Sequence, residues 1–452
     1  MNLTFYGGAQ SVTGANYLLE TKKGNEAKRI LIDCGLYQGS HYASRHNFED
    51  FPYDPKTVKA VFITHAHIDH IGRLPKLFRD GFRGKIFSTP ATRDFAELLL
   101  LDSEHILARE AEREGKPPIC TSHDVEGAMG LWEGLSYHQK LNFEDFEVEL
   151  LDAGHILGSA IIKIKAEGKT LIFSGDLGNF PAPIIQPTEK VDSADYCLIE
   201  STYGDRIHEG VDKRREQLED AIEDTVKSRG VLLIPTFAME RTQELLYHLH
   251  ELFEQGRVPK VSVFIDSPLA IKLTAVYKKY ENYFNKETYR LVKSGDDILN
   301  FPGLHLTLTT EESKSINAVP SPKVIIAGSG MSHGGRILHH EKRYLGDPKS
   351  AILFVGYQAK GSLGRQILEG APSVKIFGEE ILVRCRRISI SGYSAHADQP
   401  RLLDWLSPMR NSLKKVFVVQ GEEGASEALA QKIQDELALD TVIPKLGDKF
   451  EL

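Results

Sequence analysis

Three imidazoles and one carboxylate fall within six residues in the stretch Val61-Phe62-Ile63-Thr64-His65-Ala66-His67-Ile68-Asp69-His70-Ile71-Gly72. His and Asp are metal donors, and four of them packed this closely diverge in direction as the chain leaves an apolar, β-branched run. That divergence suits two neighbouring ions better than one tetrahedral ion, so a dinuclear site is expected. Ions about 3.5 to 4 Å apart can hold a bridging hydroxide, bring the pKa of its parent water to about 7 and offset charge on a phosphodiester. Ordinary surface or core histidines are the weaker reading, because chance seldom sets three at these offsets beside an Asp.

The elements that would position these donors read as strands. Val61 to Ile63 is a short buried strand. If its extended backbone persists through His67, then His65 and His67 point to one side, with Asp69 and His70 just beyond on the turn. The logic recurs along the chain. Arg29 to Gly35 delivers Asp33, which could also cap a turn. Phe146 to His155 delivers His155 between Gly154 and Gly158, where the missing side chains allow close backbone approach. Lys169 to Asp176 delivers Asp176, and Tyr196 to Asp205 delivers Glu200. Where several strands of layered α and β structure end together, ligands and cofactors collect. His105, His123 and His138 lack such spacing and read as exposed or satisfied side chains.

After about residue 205 the pattern changes. Asp212 to Lys227 is an amphipathic helix pattern, and strand, turn and helix recur from Val231, Val261, Lys323 and Ala351. This alternation predicts a parallel sheet wound with helices. Arg387 to Asp398 then restores the earlier signature. If His396 reaches the same metals, the segment between is an insertion in the first domain.

A length of 452 residues exceeds what one core supports, and 41% hydrophobic with 26% charged residues describes a globular protein. The net charge of -8 excludes nonspecific nucleic-acid binding by the whole surface, so a polyanion would need a focused basic groove. Cys34, Cys120, Cys197 and Cys385 have no paired spacing and read as reduced thiols. With no leader pattern and no apolar run of membrane length, a cytoplasmic location and no membrane partner are expected.

The set Asp33, His65-Ala66-His67-Ile68-Asp69-His70, His155 and Asp176 resembles the metallo-β-lactamase fold, an αββα sandwich. Glu200 in Glu200-Ser201-Thr202-Tyr203-Gly204, the inserted segment and His396 in Ser394-Ala395-His396-Ala397-Asp398 together resemble its β-CASP branch. Members of that branch cleave nucleic acids, among them the endonuclease subunit of the cleavage and polyadenylation machinery and compact prokaryotic relatives. The resemblance implies an α/β and α+β chain: an αββα sandwich with an inserted Rossmann-like α/β (β-CASP) domain. Residues 1–205 would be the first part of the sandwich, 206–385 the insertion and 386–452 the return. It implies two Zn2+ per chain, the first held by His65, His67, His155 and Asp176. The second would be held by Asp69, His70 and His396 with bridging Asp176. Asp33 would orient an imidazole, and Asp69, Asp33, Glu200 and His396 form the expected catalytic set. His rather than Val at 396 favours RNA.

The implied activity is ribonuclease, endonucleolytic or 5' exonucleolytic, on single-stranded RNA, with a homodimer as one admissible assembly. No appended RNA-binding domain is expected. Two Gly-rich turns, Gly328 to Arg336 and Gly356 to Arg365, carry hydroxyls and cations and precede helices, which suits phosphate. Ser329, Ser332, Ser362 and Arg365 are the expected phosphate contacts, with Arg241 as a further one. Lys213 to Arg215 and Arg384 to Arg387 read as solvent faces. Gln366 departs from the family, whose endonuclease has His there; an amide cannot act as a general acid. Two other functions compete: a thioester or lactam hydrolase using the same metals, and a noncatalytic assembly subunit.

Overall fold

Opposite charges face one another across the antiparallel strands Phe146–Asp152 and Ala160–Ala166, where Glu147 pairs with Lys165 and Glu149 with Lys163 in register. Their ion pairs span 3.5 and 3.4 Å. The alternate residues Phe146, Val148 and Leu150 turn inward. A slip by one residue would bury the charges, so this pattern fixes the register.

The computed structural model describes residues 1–22, 27–39, 45–208, 211–356, 358, 361–390 and 393–452. Tyr357, Ala359 and Lys360 of the second Gly-rich turn, and Ser391 and Gly392 of the late strand-turn segment, lie outside the described residues. The chain divides into two compact units, Met1–Ile207 with His396–Leu452, and His208–Ala395.

Among the described residues the first unit contains two seven-stranded sheets. One is ordered Lys449–Glu451, Asn2–Gly7, Asn16–Glu20, Arg29–Ile32, Val58–Phe62, Lys85–Ser88, Trp132–Gly134. The other is ordered Thr441–Val442, Lys415–Val419, Tyr196–Glu200, Lys169–Phe173, Ala160–Ala166, Phe146–Asp152, Leu141–Phe143. Phe5, Tyr17 and Phe62 of the first sheet share a core with Phe146, Phe173 and Phe417 of the second. Ring centroids of Phe5 and Phe417 lie 5.4 Å apart, within aromatic contact. Leu402, Leu406, Leu429 and Ile433, from the helices Gln399–Leu406 and Glu423–Leu437, pack on Ile172, Ile199 and Val418 of the second sheet. This is the expected sandwich.

The parallel strands Arg29–Ile32 and Val58–Phe62 of one sheet, and Lys169–Phe173, Tyr196–Glu200 and Lys415–Val419 of the other, release chemistry-bearing residues at their carboxyl ends. The late return is tied in directly: His396 bridges Gly178, and Ala397 N–H donates to the Leu177 carbonyl at 2.7 Å. An imidazole 220 residues from Asp176 is thereby carried to the end of the same sheet.

Asp69 and His70 lie on a short helix, Ile68–Ile71, where the sequence suggested a turn. Backbone bonds pin that helix: Cys34 N–H to the His70 carbonyl at 2.8 Å, Leu36 N–H to Ile68 at 3.0 Å and Ala15 N–H to Asp69 at 2.9 Å. Gly35 makes this approach possible, since a Cβ there would stand 1.5 Å from the Asp69 carbonyl oxygen. Gly35→Ala is expected to cost about 3 kcal/mol, because neither backbone segment can yield. Urea unfolding of the variant beside the unsubstituted chain checks this, and a loss below about 1 kcal/mol would contradict it.

The second unit is an open, all-parallel six-stranded sheet ordered Leu304–Leu306, Ser262–Ile265, Lys323–Ala327, Val231–Pro235, Ala351–Phe354, Arg386–Ser389. Val231–Pro235 is buried at every position, as a strand covered on both faces must be. Leu233, Ile325 and Phe354 pack with the helix residues Ile337 and Ile367. The hairpin Ser373–Ile376 with Glu379–Leu382 is an addition that the sequence did not suggest. No helix among the described residues is long and apolar enough to cross a membrane, and the four cysteines are free and buried.

Candidate metal centre

Asp33, fully buried, adopts the left-handed conformation at φ +59, which Asp tolerates better than most residues. One of its oxygens accepts from Thr64 N–H at 2.8 Å, and the other from Thr64 Oγ1 and from His70 Nδ1, both at 2.8 Å. Thr64 Oγ1 in turn lies 3.1 Å from His65 Nδ1. With its own proton given to Asp33, that hydroxyl accepts from His65. The network therefore places the protons of His65 and His70 on Nδ1 and leaves both Nε2 lone pairs inward. Asp33 thus orients imidazoles, and Thr64, which the sequence reading passed over, is the relay.

The inward atoms converge. His65 Nε2 lies 3.1 Å from His67 Nδ1, and His155 Nε2 lies 3.2 Å from the same atom. Asp176 Oδ2 is 3.3 Å from His65 Nε2 and 3.5 Å from His155 Nε2. Ligands about 2.0–2.1 Å from a tetrahedral zinc are about 3.3–3.4 Å apart along the edges, so this donor set fits one ion. A proton on His67 Nδ1 can serve only one of its two imidazole neighbours well, whereas a cation would satisfy all three nitrogens at once. Burial, and then the neighbouring imidazoles, hold the pKa values of His67 and His155 well below the ordinary histidine range, which keeps their lone pairs available.

Asp176 faces two ways. Besides the His65 and His155 contacts of Oδ2, its Oδ1 lies 3.4 Å from His70 Nε2, and Asp69 Oδ2 is 3.8 Å from that nitrogen. Burial opposes ionisation of Asp176, but His70, then His65 and His396, hold its carboxyl well below the usual range. Asp69 is raised by burial, with His70 pulling against the shift. His396 Nδ1 lies 3.1 Å from Glu200 Oε2 and 3.8 Å from Asp176 Oδ2. Burial works against the charged form of His396, yet Glu200 and then Asp176 raise its pKa to about 9. Glu200, itself fully buried, also accepts from Leu177 N–H at 2.6 Å. Asp176, Glu200 and His396 form a second close donor group, while His70 and Asp69 approach Asp176 through its other oxygen.

Gln420 is a site residue that the sequence reading missed. It ends the strand Lys415–Val419 as Glu200 ends its own, at φ +52. Its amide donates to Asp176 Oδ1 at 2.8 Å and to His70 Nε2 at 3.1 Å. An ion held by both atoms would take the place of that amide. The strand-end pattern was the available signal; an amide is a poor metal donor and drew no notice.

The expected phosphate contacts all lie in the second unit. Ser329 Oγ accepts from the His333 and Gly334 N–H groups at 3.0 and 3.3 Å and so shapes its turn. Ser362, buried, caps the helix Leu363–Leu368 by accepting from Arg365 N–H, and Arg365 pairs with Glu369 at 2.7 Å. Arg241 is buried and paired with Glu244 at 3.3 Å, not solvated on an exposed helix face. Arg214, read as part of a solvent-facing run, is likewise buried, 3.4 Å from Glu244. Gln366 lines a cavity of about 610 Å³ together with His333, Lys375 and Phe377.

Ser332 is buried and donates to Glu341 Oε1 at 2.5 Å. Burial pushes the Glu341 carboxyl up to about 7 against that hydrogen bond. The proton it retains favours the folded state fully below about pH 4.5, and that contribution is lost as pH rises through about 7. Glu341→Gln is expected to raise stability by about 2–3 kcal/mol near pH 8 and to change it little near pH 4. Urea unfolding at the two pH values reads the difference.

Sandwich and donor set together define a metal-dependent hydrolase of metallo-β-lactamase type. Comparison with protein families agrees along the chain: a Beta-lactamase superfamily domain matches residues 28–233, a Beta-Casp domain 242–367, and a Zn-dependent metallo-hydrolase RNA specificity domain 380–444. Ribonuclease TTHA0252 of Thermus thermophilus is 39% identical over 431 residues, covering 95% of each chain. An RNase J-like protein of Methanocaldococcus jannaschii is 31% identical over 98% of each chain. The transcription termination factor FttA of Methanosarcina mazei is 30% identical over 98% of this chain and 70% of that protein. The chain belongs to the β-CASP family of metallo-β-lactamase-fold hydrolases. A crystal structure of a protein of unknown function from Enterococcus faecalis V583 shares the fold, with TM-score 0.56 and 12% identity over 100% of this chain and 99% of that one.

Proposed function

We propose that the protein is a ribonuclease with two zinc ions per chain that hydrolyses phosphodiester bonds of single-stranded RNA. One observation carries the reading: the two oxygens of Asp176 turn toward different donors, Oδ2 toward His65 and His155 and Oδ1 toward His70. His65, His67, His155 and Asp176 would hold the first ion, and Asp69, His70, His396 and Asp176 the second. Bound zinc supplies a hydroxide nucleophile at neutral pH and offsets charge on the phosphodiester.

The chain's own groups do the rest. Asp33 and Thr64 engage Nδ1 of the His65 and His70 rings, which turns both Nε2 atoms toward the donor cluster. Glu200 fixes the His396 ring through Nδ1. Gln366 stands where the family's endonuclease has His, and its amide cannot donate a proton to the departing ribose 3' oxygen. Names of the relatives support RNA over thioester or lactam substrates. Residues 1–207 with 396–452 would form the catalytic domain and 208–395 the substrate-holding insertion, later bounds than the sequence suggested because Arg386–Ser389 pairs with Ala351–Phe354 in the second unit's sheet.

Purified protein is expected to cut an unstructured 5'-labelled RNA, with Asp69→Ala reduced to background. Internal fragments would mean endonucleolysis, and released mononucleotides end-directed trimming. Equal cleavage by the Asp69→Ala protein would assign the activity to a contaminant.

A further inference from the structure

A groove of about 510 Å³ in the second unit is lined by four cations, two histidines and three neutral hydrogen-bonding side chains, with no carboxylate among them. Arg336 pairs with Asp266 and Lys342 with Glu379, each at 2.7 Å, so among the described residues Lys314 and Arg343 supply the positive charge that a polyanion would meet on a chain of net charge -8. One wall comes from the segment Thr310 to Asn317, which presents Ser313 and Lys314. The other comes from the helix Ile337–Tyr344 and Arg336 just before it, which present His339 and Arg343.

Asp266, fully buried, holds both walls. Its oxygens accept from Ser313 Oγ on one side, and from Arg336 Nη1 and His340 Nε2 on the other, each at 2.7 Å. Arg336 also donates to the Thr307 and Leu308 carbonyls at 3.0 and 2.9 Å. The groove is therefore rigid before any ligand arrives, which lowers the ordering cost of binding. Lys314 and Arg343 are exposed, and among the described residues neither has a carboxylate within ion-pair distance.

Phe377 adds a second kind of contact. It is 55% exposed at the tip of the hairpin Ser373–Ile376 with Glu379–Leu382, and its ring lies 4.7 Å from that of His339 in the groove. It also lines the cavity that holds His333 and Gln366. Its φ of +52 is one that Asn, Asp or Gly adopts at far lower cost in such a tip. An aromatic ring kept there, exposed and strained, beside the basic groove has the chemistry of a stacking platform.

We propose that the groove and Phe377 form a track for single-stranded RNA, with backbone phosphates on Lys314 and Arg343 and an unstacked base on Phe377. The track rests on the ribonuclease reading for the identity of its polyanion. Its test is binding of a fluorescent oligouridylate to the full-length Asp69→Ala protein across a salt series. Adding Lys314→Glu and Arg343→Glu is expected to weaken binding at least tenfold and to flatten the salt slope by about 1.4, two contacts at about 0.7 each. Phe377→Ala should weaken it about tenfold and Phe377→Trp should not. All of these side chains are exposed, and thermal melts identify any variant that fails to fold. Unchanged affinity and slope in the folded variants overturn the track, whether or not the unsubstituted protein cuts RNA. Binding lost as stated, with no cleavage by the unsubstituted protein, supports the track and overturns the ribonuclease reading instead.

Discussion

Asp176→Ala is expected to strip the protein of zinc and reduce RNA cleavage to background. A zinc site of four ligands is worth roughly 10–16 kcal/mol, so each ligand accounts for about 2.5–4 kcal/mol, or about 10²–10³ in affinity. Asp176 contacts both sets of donors, His65 and His155 through one oxygen and His70 through the other. Its loss is therefore felt twice, about 10⁴-fold or more in total affinity. Competition with a chromophoric chelator reads the affinity, and metal analysis after dialysis reads the content. Thr64→Val separates ligand loss from orientation: removing only the hydroxyl between Asp33 and His65 should weaken zinc by about 10–100-fold and leave the ligands in place. If the Asp176→Ala protein kept its full zinc complement and its activity, the shared-carboxylate site would be wrong.

Removal of the metal from the unsubstituted protein is expected to have the second-largest effect. Chelation should abolish cleavage, with recovery on adding zinc back to two equivalents per chain. It should also lower the thermal midpoint, because an ion that binds only the folded state stabilises it by about 4 kcal/mol when present at a thousandfold its dissociation constant. At about 2–4 °C per kcal/mol for a domain of this size, the shift is about 10 °C. The donor set explains why: without a cation, three imidazole nitrogens 3.1–3.2 Å apart at His67 face one another in a buried pocket. Retention of cleavage after the zinc content falls to nothing would rule out metal-dependent chemistry.

The legible parts of the site were those in which one strand delivers a donor at its end. His65, His155, Asp176 and Glu200 follow apolar runs, so period and polarity give both the strand and its cargo. Thr64 and Gln420 escaped notice because neither is a metal donor, and their parts exist only through contacts with Asp33 and Asp176. In the second unit the alternation of strand and helix gave the parallel sheet, but not the burial of Arg214 and Arg241. Both arginines lie on helices, and composition cannot say that Glu244 on the inner face awaits them. Likewise the hydroxyls of Ser332 and Ser362 sit in turns that suit phosphate, yet their bonds go to Glu341 and to a helix cap.

What the sequence determined by itself was therefore local: which segments extend or coil, because hydrophobic period is a property of neighbours, and which of them end in a donor. The tertiary structure alone decided which oxygen of Asp176 meets which imidazole, which arginines are neutralised inside, and that Asp266 joins two walls of a basic groove. Those outcomes depend on distances of 2.7–3.5 Å between residues far apart in the chain. Spacing along the chain carries no such lengths; they follow only when the sheets are stacked and the strand ends brought level.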